Sequence, residues 1–392
     1  MPYRKFQADY LFTGNNLMNN TSVLITDEEG VVNDIVGHEQ AGEGVEIFSG
    51  ILSPGFINTH CHLELSHLKN KIPEKTGLAN FVHKVVTERH YTEEEIVKAI
   101  KLAEEEMEQN GIVAIGDICN NDLAISPKNN ERIHYYNFIE VSGWDPLIAS
   151  ERFERSKSIY DKYIANGKKT SLVPHAPYSV SCPLWEKIAP YYSGKVVSIH
   201  NQETLTEDEF FFKGTGELIK MYEMMKIDNS FYNFPGTSSL QSYFEKLFQA
   251  SSVISVHNTF IKQDDINFIN RKKPSGQLVS FCICPNANIY IENTFPPVLM
   301  LIDNEVNIVV GTDSLASNHQ LDILEELKTI SKKLPDIKTE LMLTWATLNG
   351  AKALQMENAL GSFEKGKQPG IVLIENIEGD KFAPNSKARR IL

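Results

Sequence analysis

Two histidines separated by one residue, His60 and His62, are the first residues of the chain that could hold a catalytic metal ion. In an extended backbone, residues i and i+2 project to the same face, so both imidazoles can reach one ion. Cys61 would then point to the opposite face, into the core. Because two core histidines with satisfied hydrogen bonds would give the same pattern, the pair alone is a weak signal.

Further residues that suit a metal site follow later in the chain. His200 can supply a third imidazole and Asp313 a carboxylate oxygen. Three imidazoles and one carboxylate leave room for water, which is typical of a catalytic ion. Glu203 follows His200 by three residues and can exchange protons beside such an ion, whereas Asp313 has an alternative interpretation as a helix N-cap. The acids that come after Glu203 are interpreted as a solvated face: Glu207, Asp208 and Glu209.

Eight short apolar runs, alternating with segments of helical periodicity, must position these residues. Helices are predicted at residues 93–110 and 183–192. Eight strands with intervening helices predict a distorted (β/α)8 TIM barrel over residues 51–357, whose strand ends share one rim where active sites are built. The predicted strands end at Asn58-Thr59-His60, Gly116-Asp117-Ile118, Phe138-Ile139-Glu140, Val173-Pro174-His175, Ser198-Ile199-His200, Ser255-Val256-His257, Phe281-Cys282-Ile283 and Val310-Gly311-Thr312-Asp313.

The two ends of the chain predict a second, smaller unit. Short strands at residues 10–12, 22–26 and 30–32 are separated by turn signals, and a further strand is predicted at 370–375. Residues 1–50 and 358–392 are therefore expected to form a small β-sandwich domain beside the barrel. The segment 202–250 is unusually long for a connection, so it is either a functional lid or a decorated crossover.

Composition narrows the class of protein. The 392 residues carry a formal net charge of -13, which disfavours nucleic acid as a partner. The N-terminus lacks an apolar signal core, and no apolar run approaches the roughly 20 residues that cross a bilayer. The sequence predicts a soluble, cytoplasmic protein without a membrane partner, for which a homodimer is compatible with the barrel fold.

The residues around the histidines form a recognisable series of motifs. Their order and spacing resemble the amidohydrolase superfamily, in its aminohydrolase and chlorohydrolase branch, which includes cytosine, guanine and S-adenosylhomocysteine deaminases. Residues 62–66 are also similar to the corresponding loop of 6-aminodeoxyfutalosine deaminases. The motifs are Leu52-Ser53-Pro54-Gly55-Phe56-Ile57-Asn58-Thr59-His60-Cys61-His62, His175-Ala176-Pro177-Tyr178-Ser179, His200-Asn201-Gln202-Glu203, Val256-His257-Asn258, Cys284-Pro285-Asn286-Ala287-Asn288 and Gly311-Thr312-Asp313-Ser314.

The resemblance implies a role for each site residue. Glu203 would protonate the substrate ring, Asp313 would accept the proton of the attacking water, and His257 would orient that water. Because strand 4 ends without the lysine that bridges two metals in binuclear members, a single divalent ion is expected, Zn²⁺ being favoured and Fe²⁺ the alternative. The implied metal ligands are His60, His62, His200 and Asp313.

Two further residues are implied to contact the substrate. His175 commonly does so in this branch, the alternative being a structural histidine. Glu64 lies on the loop after strand 1, which contributes to substrate recognition, the alternative being a surface acid.

The implied reaction is hydrolytic deamination of an amino-substituted heterocycle, purine-like or a nucleoside derivative, in which metal-activated hydroxide attacks and ammonia leaves. One alternative is removal of chloride or an alkylamine from a triazine-like ring. An alternative of another class is a non-catalytic barrel that acts in binding or assembly.

Overall fold

Seven short strands form the beginning of the chain in the computed structural model, which describes residues 3–88 and 90–392. The predicted strands at 10–12 and 22–26 are confirmed, but the one at 30–32 is wrong, because Gly30 has a φ of 90°. It lies in a turn in which the Asp27 carboxylate accepts a hydrogen bond from the backbone of Val31 at 2.8 Å. The strands are β1 (Arg4–Gln7), β2 (Tyr10–Phe12), β3 (Leu17–Asn19), β4 (Ser22–Thr26), β5 (Val32–Gly37), β6 (Val45–Ile47) and β7 (Ile51–Pro54).

All eight predicted barrel strands are present. They are buried along almost their whole length, which explains why their sequences form continuous apolar runs rather than alternating patterns. They are β8 (Phe56–Cys61), β9 (Ile112–Cys119), β10 (His134–Val141), β11 (Thr170–Pro174), β12 (Val196–Asn201), β13 (Ser252–His257), β14 (Leu278–Ile283) and β15 (Asn307–Val310).

The barrel strands form two parallel sheets of four, β8-β9-β10-β11 and β12-β13-β14-β15. The sheets meet at two seams. At one, the backbone N–H of His200 donates to the carbonyl of His175 at 2.9 Å, and at the other, Asp313 N–H donates to the carbonyl of His60 at 3.1 Å. A Cβ on Gly311 would lie 2.9 Å from the His60 carbonyl oxygen, so this close approach requires glycine. The strands therefore follow a closed order, in agreement with the predicted distorted barrel.

Helices connect the strands. The predicted helix at 93–110 begins at a capping box, in which Thr92 Oγ1 accepts from Glu95 N at 3.3 Å and Glu95 Oε2 accepts from Thr92 N at 2.8 Å. The helix predicted at 183–192 is also confirmed, and its last residues form a 3₁₀ turn. The helices are α1 (His38–Ala41), α2 (Leu78–Thr87), α3 (Glu93–Gln109), α4 (Ala149–Ala165), α5 (Cys182–Ile188), α6 (Leu205–Lys213), α7 (Glu217–Met224), α8 (Ser239–Tyr243), α9 (Gln263–Lys272), α10 (Pro285–Glu292), α11 (Val298–Asp303), α12 (Ile323–Lys333), α13 (Thr339–Thr344) and α14 (Gly350–Ala353).

Two C-terminal strands, β16 (Ile371–Glu378) and β17 (Lys381–Arg390), complete the β-structure at the beginning of the chain. One sheet has the order β17-β16-β7-β2-β3 and the other β5-β4-β1-β6. The strand predicted at 370–375 is thus confirmed, whereas β17 was not predicted. The strand β7 pairs with β16 although it immediately precedes the first barrel strand. The division into two domains stays a prediction.

A second apolar core lies apart from the main core of the barrel. It joins the segments that follow several barrel strands, including helices of the segment 202–250. The buried members of this second core are Leu68, Ile72, Leu78, Ala79, Phe81, Trp144, Ala176, Tyr178, Phe210, Phe211, Leu218, Met221, Tyr222, Tyr290, Ile291 and Ala316. Within the described residues, no helix is long and apolar enough to cross a membrane.

Candidate metal centre and active site

Three imidazoles converge where the carboxyl ends of the barrel strands meet. His60 lies near the end of β8, His62 directly follows that strand, and His200 lies near the end of β12. The Nε2 atom of His62 is 3.2 Å from Nε2 of His60 and 3.2 Å from Nε2 of His200. All three rings are buried, so their ring nitrogens face one another rather than solvent.

The carboxylate of Asp313 completes this group. Its Oδ1 atom lies 3.5 Å from His60 Nε2 and 3.4 Å from His62 Nε2. Donors around a tetrahedral ion with bonds of ~2.0–2.1 Å are about 3.3 Å apart, so these separations fit a divalent cation. Three ring nitrogen atoms and one carboxylate oxygen, turned toward one point in a buried space, are chemically suited to a metal ion.

The protonation of His200 supports this fit. Its Nδ1 atom donates a hydrogen bond to the carbonyl oxygen of His175 at 2.8 Å. Because Nδ1 carries the proton, the lone pair of Nε2 is free to bind a metal ion. Burial also lowers the pKa of His200 well below its ordinary value, which favours the neutral imidazole.

Asp313 is held in an unusual backbone conformation, with a φ of 58°. Ser317 Oγ donates to its Oδ2 atom. Burial alone would raise the pKa of Asp313, but the hydrogen bond from His60 and the nearby imidazoles hold it well below its usual range. The alternative role as a helix N-cap is wrong, because α12 is capped by Asp322, whose Oδ1 accepts from Leu324 N at 2.8 Å.

His257, at the end of β13, is the fourth imidazole of the centre. It offers a ring nitrogen within 4.8 Å of ligand atoms of His60, His200 and Asp313. Its Nδ1 atom lies 2.8 Å from Oδ1 of Asn288, so Nδ1 carries the proton and Nε2 is left with a lone pair. Burial lowers the pKa of His257.

Glu203 faces His257 from the segment between β12 and α6. Its Oε2 atom is 3.6 Å from Nε2 of His257. Burial, together with the charges of Asp313 and Glu292, raises the pKa of Glu203 well above its ordinary value. A raised pKa favours the protonated carboxyl group, which is the form that a proton donor requires.

His175 and Glu64 are the two predicted substrate contacts. His175 is partly buried, and its Nδ1 is 2.8 Å from the hydroxyl of Ser179. Glu64 is buried, so the alternative of a surface acid is wrong. Its Oε2 accepts from the backbone of Asn120 at 2.9 Å and from the amide of Asn121 at 2.8 Å, and burial raises its pKa to about 7.

Comparison with known proteins identifies the family. The profile of the Amidohydrolase family matches residues 51–388. The chain belongs to the amidohydrolase family. The resemblance inferred from the motifs is thereby confirmed.

Individual relatives extend over most of the chain. A protein of Thermoanaerobacter pseudethanolicus, named 5-methylthioadenosine/S-adenosylhomocysteine deaminase, is 26% identical over 395 residues, covering 94% of this amidohydrolase and 83% of the relative. Aminofutalosine deaminase of Helicobacter pylori, solved with methylthio-coformycin, superposes with a TM-score of 0.83 at 20% identity and covers 99% of this chain and 100% of that one. An adenosine deaminase from Xanthomonas campestris with bound zinc gives a TM-score of 0.71 at 21% identity, covering 95% and 84%. These structures confirm the fold.

Three residues at or near the amidohydrolase site are not identified as functional by the sequence alone. Asn288 belongs to a recognised motif, yet only its contact with His257 reveals a role. Glu140 Oε1 lies 3.7 Å from His200 Nδ1 and has no hydrogen-bond partner within the described residues. Its position at the end of predicted strand 3 was a usable signal. Glu207 was interpreted as solvated and is completely buried, as Asp208 nearly is, so this interpretation was wrong for both residues.

Proposed function

We propose that this amidohydrolase is a mononuclear metal-dependent deaminase of a purine-like base or nucleoside derivative, with adenosine derivatives as the favoured class. The observation that carries the proposal is the convergence of Glu203, His257 and Asp313 on three imidazole nitrogens. The names of the relative and of the structural neighbours, which describe deaminases of adenosine derivatives, support the substrate class.

His60, His62, His200 and Asp313 would hold one divalent ion, with Zn²⁺ favoured by the ligand chemistry and by the zinc-bound neighbour. Fe²⁺ suits the same ligands. A divalent ion bound there supplies a water molecule of lowered pKa, which is available as hydroxide at neutral pH.

The side chains around the ion would divide the proton transfers among them. Asp313 accepts the proton of the attacking water, and the free Nε2 of His257 fixes the orientation of the nucleophile. Glu203 delivers its proton to the ring nitrogen next to the attacked carbon, so that the bond from water to carbon forms without leaving charge on the ring. The proton held by Asp313 then passes to the exocyclic amine, the new hydroxyl group returns a proton to Glu203, the carbon–nitrogen bond breaks, and ammonia leaves. Water is consumed and a carbonyl group replaces the amine.

His175 and Glu64 would contact the substrate outside the reacting carbon. The two hydrogen bonds to Glu64 both use Oε2, which leaves Oε1 available to accept from a substrate hydroxyl or amine. Glu140 Oε1, buried and without a partner among the described residues, offers a second acceptor on the same side. A substrate rich in donor groups, such as a nucleoside, suits these acceptors.

The test is a screen of the zinc-loaded protein for ammonia release, covering adenosine, S-adenosylhomocysteine, 5′-methylthioadenosine, 6-aminodeoxyfutalosine, guanine, cytosine and aminotriazines. Metal analysis should find one ion per chain. We expect Glu203→Gln to lower kcat by roughly 10²–10⁴-fold while the metal content stays unchanged, since only the proton transfer is removed.

The screen also separates the alternatives. Chloride or alkylamine release from a triazine, without ammonia release from any nucleoside or base, would favour the chlorohydrolase alternative. A protein that takes up no metal and turns over none of the compounds would favour the non-catalytic binding protein.

A further inference from the structure

Glu207 lies in the first turn of α6, four residues after Glu203, and its side chain turns back over the preceding backbone. Its Oε1 accepts from the backbone N–H of Glu203 at 2.8 Å. Its Oε2 accepts from the backbone N–H of Gln202 at 3.0 Å and from the hydroxyl of Ser239 at 2.9 Å. One buried carboxylate thus binds two successive amides of the chain that carries the proton donor.

The backbone at this point needs such support. Gln202 has a φ of 44°, a left-handed conformation that residues with a side chain rarely adopt. This bend directs the chain from His200 at the end of β12 to Glu203 within three residues. The amides before a helix also lack partners within the helix, so another group must accept their hydrogen bonds.

The side chain of Gln202 is held as well. Its Nε2 atom donates to Oδ1 of Asp208 at 3.1 Å and to Oδ2 of Asp265 at 2.9 Å. Lys262 Nζ lies 2.7 Å from Oδ2 of Asp208, so that carboxylate forms an ion pair with the lysine. Among the residues that the structure describes, only Glu207 binds the backbone amide of Glu203 itself.

We propose that Glu207 is a positioning residue for Glu203: by accepting hydrogen bonds from the amides of residues 202 and 203, it holds the Glu203 carboxyl beside His257, where it can deliver its proton to the substrate ring. The proposal rests on the function proposed above for Glu203. It adds a residue that acts only through Glu203 and touches neither the metal ligands nor the reacting atoms.

The substitution Glu207→Gln tests this role. The amide group keeps the size of the side chain, but its NH₂ end would face a donor, so one of the three hydrogen bonds is lost. We expect kcat to fall roughly 10- to 100-fold, with KM and metal content nearly unchanged, because small displacements of a catalytic group have effects of this size. Glu209→Gln, an exposed acid on the same helix, is the matched control and should keep wild-type kcat.

A double-mutant cycle distinguishes positioning from general loss of structure. If Glu207 acts through Glu203, Glu207→Gln should have almost no further effect on the residual rate of Glu203→Gln. Independent, multiplicative losses would overturn the proposal. If Glu207→Gln does not fold, Ser239→Ala removes one hydrogen bond to the same carboxylate and should lower kcat 2- to 5-fold. Wild-type kcat in that variant would also count against the proposal.

Hydrogen exchange gives a readout that needs no substrate. In Glu207→Gln, the NH₂ group can face only one of the amides of residues 202 and 203, and that amide should exchange at least 10-fold faster than in the wild type, whereas Glu209→Gln should leave both unchanged. Unchanged exchange in Glu207→Gln would overturn the positioning role, whatever the enzyme acts on. Failure of every substrate in the ammonia screen, with faster exchange in Glu207→Gln, would instead refute the proposed function alone.

Discussion

Two histidines of the centre, His200 and His257, each commit one ring nitrogen to the protein. His200 uses Nδ1 for the carbonyl of His175, and His257 uses Nδ1 for the amide oxygen of Asn288. In both rings the other nitrogen is thereby free of its proton and faces the centre. Groups outside the ligand set therefore determine which ring nitrogens can bind a metal ion or accept a hydrogen bond.

Replacement of Asn288 by leucine should show this control directly. Asn288→Leu removes the acceptor for Nδ1 of His257 at similar size, so the ring can rotate or take the wrong tautomer. We expect kcat to fall about 10- to 100-fold with the metal retained, a loss typical of removing the partner of a site histidine. Steady-state kinetics measure the loss of kcat, and metal analysis measures the retained metal. Asn288→Asp keeps an acceptor oxygen and should stay within a few-fold of wild type; equal losses in the two variants would contradict the tautomer argument.

The main candidate residues could be predicted from the sequence because each lies at a strand end or one to three residues beyond one. The structure brings His60, His62, His200, His257 and Asp313 together at the barrel rim. The supporting residues could not be found in the same way. Glu207 lies in a run of three acids, and one of its hydrogen-bond partners, Ser239, is distant in sequence. A contact between two residues so far apart in the chain cannot be predicted from the local sequence pattern.

Among the elements, the segment 202–250 is distinguished by an aromatic cluster of its own. Its aromatic side chains pack around Trp144, which follows β10: the ring of Tyr222 stacks at 5.6 Å and that of Tyr232 lies at 4.7 Å. Trp144 Nε1 also donates to Asn229 at 2.7 Å. The segment is thus attached to the rim by a small core separate from that of the barrel. Its motion as a lid stays a prediction.

Trp144→Ala should loosen this segment without unfolding the barrel. A buried tryptophan truncated to alanine loses about 3–5 kcal/mol of packing, more than a core of this size can replace. We expect faster hydrogen exchange and proteolysis within residues 205–234, and a raised KM, while exchange in the barrel strands is unchanged. Phe212→Ala, which truncates an exposed ring on α6, is the control. Uniform protection in both variants would show that the segment does not depend on Trp144.

Strand prediction succeeded where burial is complete and failed where it is not. The eight barrel strands are buried on both faces and form clear apolar runs. The strand β17 has alternating exposed residues and several lysines and arginines, and it depends on pairing with β16, so its sequence contains little signal. The displaced strand near residue 30 shows how a glycine turn can be mistaken for the start of a strand.

At the scale of the whole molecule, the two chain ends meet beside the first barrel strand. The strand β7 pairs with β16 and with β2, and it is followed after one residue by β8, which carries His60. A Cβ on Gly55, the residue between β7 and β8, would lie 2.2 Å from Val113, so the connection is tightly packed. The terminal sheet and the metal centre therefore share one continuous stretch of backbone.

Metal removal should lower the stability of the whole chain. Without an ion, the buried Asp313 and the facing nitrogens of His60, His62 and His200 are brought together with no charge to compensate the carboxylate. An ion that binds only the folded state at 100–1,000 times its Kd adds about 2.7–4.1 kcal/mol. We expect chelation to lower Tm by on the order of 5 °C, as followed by calorimetry. One equivalent of Zn²⁺ should restore it. In His62→Asn, which lacks one ligand, the Tm should change only slightly when chelator or zinc is added. A wild-type Tm indifferent to complete metal removal would contradict a centre that stabilises the fold through its ion.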